Sequence, residues 1–563
     1  MVKLYFWSIL CLSFLLSFSQ FSFSQDLENI KKQKPVDLSG SLSVRFNSFS
    51  TTATNSLRDP FFWTISGNPT LSIYGITLPF SLVVSDKQKD FRQPFNMYGV
   101  SPYYKKIRLH AGYRSVYFSD YTLSDHVFLG GGFEADPSIF RIGFVYGRFM
   151  KAIEPTKDTI AGQYSTPSFA RKGFAAKFGL GKSNNFVDFI VLKVQDDATS
   201  VKINPLDIGV LAAENLVIGV KSRQVISKIF AFDVDFGFSA YTNDLSSGEL
   251  TDDKFKALNF MKGFYTPRVS TQFLAAGKAS FGIRLKKLSV KLNYRRVEPD
   301  YQSMGAYYLN TDIENLTIAP SWQMLKNRIR INGSVGFQRN NLFNDKINNS
   351  IRRANSFSIA FTPNSKWGIN VNYSNYNMSQ TRNFALVRDT LKLDQFSNNL
   401  NGNLFFNFGT KAHRQNLNTS MNYMNLKDNS SLKTAANSTT SLNPSVSYRF
   451  TNTDKKFSFN INTNASDFKT DKNSTFRLGL SSGLSKALVK DKLKTGANIS
   501  YYTTRLNGEN YSTTMSVGGN VGFQPHKGHS LNLGINLVNR SFTVATMPGT
   551  TDFLGNFGYT FNF

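Results

Sequence analysis

The chain has 563 residues, of which 41% are hydrophobic, 14% aromatic and 18% charged, with a formal net charge of +28 and one cysteine. So basic a chain invites nucleic acid as a partner, but the N-terminal segment below directs it to secretion, away from nucleic acid. A single cysteine excludes a disulfide framework.

The chain opens on Lys3, an apolar run from Leu4 to Leu16, and the small residues Ser22 and Ser24 around Phe23. This is the order of a secretory signal, with cleavage expected before Gln25. The run is shorter than the ~20 residues a spanning helix needs. Residues 1–24 are therefore read as signal peptide and 25–35 as a short periplasmic leader, too short for a plug domain. Residues 36–563 are read as one domain. Cys11 leaves with the signal, so the mature chain is expected to lack thiol chemistry.

Beyond residue 24 no long apolar run exists, so any membrane span has to be built from strands, whose apolar residues alternate. Phe457, Phe459 and Ile461 oppose Ser458, Asn460 and Asn462; Leu478, Leu480 and Leu484 oppose Gly479, Ser481 and Gly483; Leu531, Leu533, Ile535 and Leu537 oppose Ser530, Asn532, Gly534 and Asn536. Each stretch has one apolar and one small polar face. The first strand is expected at about Val36 to Phe49, and Phe95 to Tyr104 is read as another. Typical strands should run about 11 to 15 residues, longer than in soluble sheets.

Connections alternate as well. Short turns are expected at Tyr74–Thr77, Ala135–Ser138, Lys182–Asn185, Lys286–Lys287, Pro363–Lys366, Thr410–His413, Asn452–Lys455 and Pro525–Gly528. Longer polar loops fall between them, among them Ile153–Ser168, Asp196–Ala213, Asn243–Thr271, Glu298–Asn310 and Ser379–Leu393. This is the layout of an all-β, single antiparallel transmembrane β-barrel with periplasmic turns and outer loops, in the outer membrane. Threading gives about 26 strands, within a range of about 24 to 28.

Three groups of residues are candidate sites. In the loop Asn243–Thr271, Phe255, Leu258 and Met261 recur every three residues, enough for a short amphipathic helix expected to fold over the pore. Its acidic residues Asp244, Glu249, Asp252 and Asp253 lack calcium-loop spacing. Nearly every proposed turn carries Lys or Arg, and Lys105, Lys106, Lys286, Lys287, Lys455 and Lys456 form a candidate periplasmic docking ring for anionic headgroups or an acidic partner. Gly558, Phe561 and Phe563 in the terminal TDFLGNFGYTFNF resemble the insertion signal that ends outer-membrane barrels.

No catalytic or cofactor-binding constellation emerges, and no enzyme activity is expected. His526 and His529 lack the further ligands a metal site needs. His110 lies on a luminal face without a Ser or Asp companion by spacing. Gly130 to Gly132 sit within a strand rather than a phosphate loop.

The segments Ile107–Glu134, Ile139–Ala152, Ala213–Gln224, Tyr294–Tyr308 and Ser358–Tyr376, with the terminal signal, resemble large, poorly characterised outer-membrane barrels of Bacteroidota. Asp158-Thr159-Ile160 and Asp389-Thr390-Leu391 are similar to O-glycosylation triplets of that phylum. The resemblance implies no site or activity. A barrel this size has a wide lumen that would leak unless filled. The expected function is therefore as a subunit of a multi-protein outer-membrane complex, in protein assembly, secretion or export, with other outer-membrane or periplasmic subunits as partners beside the lipid. The alternative is a porin-like solute channel closed by its own loops.

Overall fold

The computed structural model of the protein describes residues 35–53, 58–74, 76–86, 97–155, 166–202, 209–250, 264–382, 393–430, 438–544 and 547–563. The proposed signal peptide and nearly all of the leader lie outside them. One antiparallel sheet holds 29 strand segments. Several are halves of one strand. Val36–Ser39 pairs with Thr70–Ile73 in the register that Ser41–Thr51 keeps with Phe61–Gly67. The first strand is thus interrupted at Gly40, and the second at Asn68-Pro69. Met97–Val100 and Tyr103–Tyr104 likewise flank Ser101-Pro102 between the same two neighbours. The result is a closed barrel of 26 strands.

Closure joins Ser41–Thr51 to Thr550–Asn562. Gly40 and Phe563 exchange two main-chain hydrogen bonds of 3.1 Å at the end of this seam. Gly40 has φ +125°, and a Cβ there would meet the Asn68 oxygen at 2.5 Å, so the position admits only glycine.

Alternation puts the apolar face outward. Leu533, Ile535 and Leu537 are each about half exposed, as are Met515 and Val517 beside them. A water-soluble sandwich would bury this row; here it forms the lipid-facing band. The opposite face lines the lumen with cross-strand amide and hydroxyl pairs: Asn403 donates to Asn418 at 2.7 Å, Asn422 to Asn399 at 3.0 Å, and Ser516 to Asn536 at 2.9 Å. Strands lengthen to 17 residues in Leu393–Gly409, beyond both expectation and the ~9–11 that cross a bilayer. The loop end of this strand is rich in polar residues, Asp394, Gln395, Ser397, Asn398 and Asn399, as suits a stretch beyond the hydrocarbon.

Turns and loops segregate to opposite ends as expected, with Phe563 at the turn end, the periplasmic one by the layout of such barrels. The alternation fails twice on the other side. Asp471–Asn473 and Asn507-Gly508 are short. Asn507 (φ 52°) and Gly508 (φ 88°) make a two-residue left-handed hairpin turn.

Candidate functional site: a half-filled lumen

Two connections enter the barrel. Phe118–Leu123 follows the strand Ile107–Tyr117, and 298–312 follows Leu288–Val297. Both carry apolar residues where outer loops are normally polar: Phe118, Tyr121, Leu123, Tyr301 and Met304 are at most 2% exposed. They pack against luminal residues of the wall, including Phe128, Val145, Ile190, Leu192 and Val217. Ile190 and Leu192 are luminal because Phe189, one residue away, is 58% exposed to lipid.

The two segments hold each other and the wall. Ser303 Oγ donates to the Thr122 carbonyl at 2.6 Å, and Tyr301 Oη to the Tyr121 carbonyl at 2.7 Å. The wholly buried Asn215 accepts from the Met304 amide at 2.9 Å and donates to Ser239 Oγ at 2.8 Å and the Ala240 carbonyl at 3.1 Å. Ser239 Oγ in turn donates to the Gln302 carbonyl at 2.7 Å. Asp235 accepts from Ser119 Oγ at 2.5 Å and the Asp120 amide at 3.1 Å. Gly237 leaves the space: its Cβ would lie 2.6 Å from Tyr301 Oη and 2.8 Å from Tyr121 Cβ.

Four cations on this side meet carboxylates. Arg141 forks onto Asp188 at 2.7 and 3.0 Å, and Arg171 onto Asp196 at the same distances. Such bidentate pairs fix geometry as well as charge. Lys177 approaches Glu134 at 3.7 Å, and Lys278 pairs with Asp120. His110 does have companions. Its Nδ1 lies 3.0 Å from Ser101 Oγ and its Nε2 3.2 Å from Glu134 Oε1. Spacing could not reveal them because Ser101 lies in the break between two segments of the strand before it and Glu134 on the strand after it, both brought alongside by register. The order hydroxyl–imidazole–carboxylate can activate a nucleophile. Here Glu134 is divided between His110 and Lys177, and His110 ties the interruption at Ser101 to the wall.

From about Ile313 onward the lumen differs. Arg414, Arg449, Asn498, Asn520 and Asn532 point inward and remain exposed. No buried apolar cluster occurs among the described residues of this half. The lumen is therefore filled on one side and lined by solvated polar groups on the other.

The expected pore-covering residues Phe255, Leu258 and Met261 lie outside the described residues, as do both glycosylation-like triplets. The described flank of that loop runs along the outside of the wall. Tyr265 shares a 2.7 Å hydrogen bond with Thr242 and is buried with Leu216 and Ala240. Those residues share a face with Ile218 and Phe238, which are 40% and 39% exposed on the lipid side. Phe264 packs edge-on against Phe174 at 5.6 Å and lies over Lys193, which pairs with Glu214 at 3.3 Å. The charged pair is thus shielded on the outer surface.

Lys105, Lys106, Lys286, Lys287, Lys455 and Lys456 all fall at the turn end, on three widely separated turns. Lys456 pairs with Asp491 of the neighbouring turn. Gly558, Phe561 and Phe563 lie on or just after the closing strand. Phe561 packs on His529 at 4.6 Å and on Phe563 at 5.2 Å, while Gly558 faces Arg45 in the lumen. His526 and His529 gain no third ligand, and no group of three metal-binding side chains occurs among the described residues.

No protein-family model matches the chain, and no curated protein matches it. Among solved structures, the chain is similar to the FrpB iron transporter of Neisseria meningitidis (F5-1 variant), with 10% identity, TM-score 0.39, and 95% of this chain covered against 84% of that one. It is similar to the siderophore receptor PirA of Pseudomonas aeruginosa, with 10% identity, TM-score 0.38, and coverage of 94% and 81%. OccAB3 of Acinetobacter baumannii has 10% identity, TM-score 0.30, and coverage of 62% and 92%. These likenesses reach no further than barrel architecture, and none ties the chain to Bacteroidota.

Proposed function

We propose that the protein is a solute channel of the outer membrane, narrowed by its own inward-folded segments. The observation that carries this reading is the seating of Phe118–Leu123 and Tyr301–Ala306 against the luminal wall, beside a water-exposed Asn- and Ser-lined half. The filling comes from the chain itself, so a partner is not required to occupy that half. Reconstitution of the purified barrel in planar bilayers tests it. Discrete conductance steps are expected. A silent barrel that co-purifies with stoichiometric partners would instead favour a subunit of a larger complex.

The cationic turns favour a second reading, docking of an acidic periplasmic partner at the turn end. Reversing Lys105, Lys106, Lys286, Lys287, Lys455 and Lys456 to Glu should then abolish co-purification. Unchanged co-purification removes this reading and leaves the channel untouched.

A further inference from the structure

We infer that the solvated half of the lumen carries a binding site for a small, multiply charged anion at its periplasmic mouth. The site is a pocket of about 680 Å³ whose lining includes Lys366, Lys411, Arg414 and Arg449, with Asn407 and Asn416. Its size suits a small organic ligand.

Register assembles it. Arg449 lies across from Asn416, and Asn416 across from Asn407, making one row over three strands. The next row toward the periplasm is Thr451, Arg414 and Gly409. Arg414 and Arg449 are each an odd number of residues from the lipid-facing Met421 and Val446, so both guanidinium groups project into the lumen. Lys366 and Lys411 reach in from the turns below. At Gly409, φ +93° turns the chain into the hairpin below; a Cβ there would meet the His413 carbonyl oxygen at 2.1 Å, so glycine holds the turn that carries Lys411.

The charge balance points to a ligand. Across the barrel, Arg141, Arg171, Lys177 and Lys278 each meet a carboxylate. Here the four cations are exposed, and among the described residues their side chains meet no carboxylate and no hydrogen-bond acceptor. No carboxylate lines the pocket. Like charges held this close repel one another, and an incoming anion relieves that repulsion. Two guanidinium forks fit carboxylate or phosphate oxygens, and Lys366 and Lys411 add point charges. The amides already have work within the wall: Asn416 Nδ2 donates to Asn407 Oδ1 at 2.8 Å, and Asn407 Nδ2 to the Ser365 carbonyl at 3.0 Å. They hold the rows in place and leave recognition to the cations.

The inference deepens the channel reading by naming a solute class, but its test does not need conduction. Titration calorimetry of the full-length barrel in zwitterionic micelles would use citrate and inorganic pyrophosphate as probes. Wild type should bind at least one. The Arg414→Gln/Arg449→Gln double variant should bind it at least about tenfold more weakly, the scale of one charge-assisted hydrogen bond. Arg414→Lys/Arg449→Lys, which keeps charge and loses the fork, should fall between, and Lys527→Gln should bind as wild type. Heat-modifiable gel mobility verifies that each variant is a folded barrel. Failure of wild type to bind either anion, or equal binding by the double variant, overturns the site. Phosphatidylglycerol retained from nanodiscs in an Arg414- and Arg449-dependent way, without anion binding, overturns it in favour of a lipid headgroup. A silent barrel that binds citrate overturns the channel and keeps the site; a conducting barrel that binds neither anion does the reverse.

Discussion

Asn215 spends its whole side chain on the inward-folded segment and the wall: one accepted and two donated hydrogen bonds, with no exposure to solvent. Asn215→Ala strands the Met304 amide and removes both donations. Leaving a buried polar group unpaired costs about 1–3 kcal/mol. Faster amide exchange across 301–306 is expected, with longer open events in bilayers; wild-type protection of that segment would show that the filling is held by packing instead. A second residue-scale prediction concerns the outer loops. Lys346 Nζ lies 2.6 Å from the nearly buried Asp312, whose other oxygen accepts from the Leu342 amide at 2.9 Å. Burial alone would raise the Asp312 pKa, but Lys346 and the backbone donors outweigh it and hold the carboxyl below the usual aspartate range. The Asp312 bond raises the Lys346 pKa. A depressed carboxyl contributes stability above its unfolded pKa and loses it as pH falls through the folded value. Protease resistance of 340–347 should therefore hold at neutral pH and fail only in strong acid, and Asp312→Asn should remove that acid step.

Among the elements, the two inward connections depend on small wall residues opposite them. A Cβ on Gly237 collides with both Tyr121 and Tyr301, and one on Gly219 would lie 2.5 Å from Thr122 Cγ2. Gly237→Val should displace the filling while the strand, which tolerates valine, keeps its ladder. The expected outcome is higher conductance and greater vancomycin sensitivity, with unchanged heat-modifiable mobility; wild-type conductance from a folded variant would refute the seating role. The strands themselves were legible, because Leu531 to Leu537 and Phe457 to Ile461 alternate and a membrane barrel imposes that period on both faces. The filling was not. Tyr121, Tyr301 and Met304 stand in irregular stretches, where no period tells an inward-folded apolar residue from one lying on the surface. His110 was hidden for a related reason: Ser101 and Glu134 reach it through strand pairing, which spacing along the chain does not encode.

At the scale of the molecule, strand number and closure follow from turn chemistry summed around the chain. The even count of 26 returns the last strand to the first. What summation could not show is the division of the lumen into a filled side, where Arg141, Arg171, Lys177 and Lys278 meet carboxylates, and a solvated side, where Lys366, Lys411, Arg414 and Arg449 meet none among the described residues. That division depends on side chains from distant strands meeting across the interior. Solute passage, on the reading proposed above, follows the solvated side.

The interruptions at Gly40, Asn68-Pro69 and Ser101-Pro102 all fall in the first four strands, next to the closing seam. Proline supplies no amide to a ladder, and glycine loses the most freedom when ordered. Main-chain hydrogen bonds still cross these breaks, from Asn68 to the Ser41 carbonyl at 3.0 Å and from Leu109 to the Pro102 carbonyl at 2.7 Å, but Pro69 and Pro102 donate none in return. Under lateral tension the wall is expected to yield there before the uninterrupted pairs, and amide exchange in 97–112 faster than in 413–428 would report it.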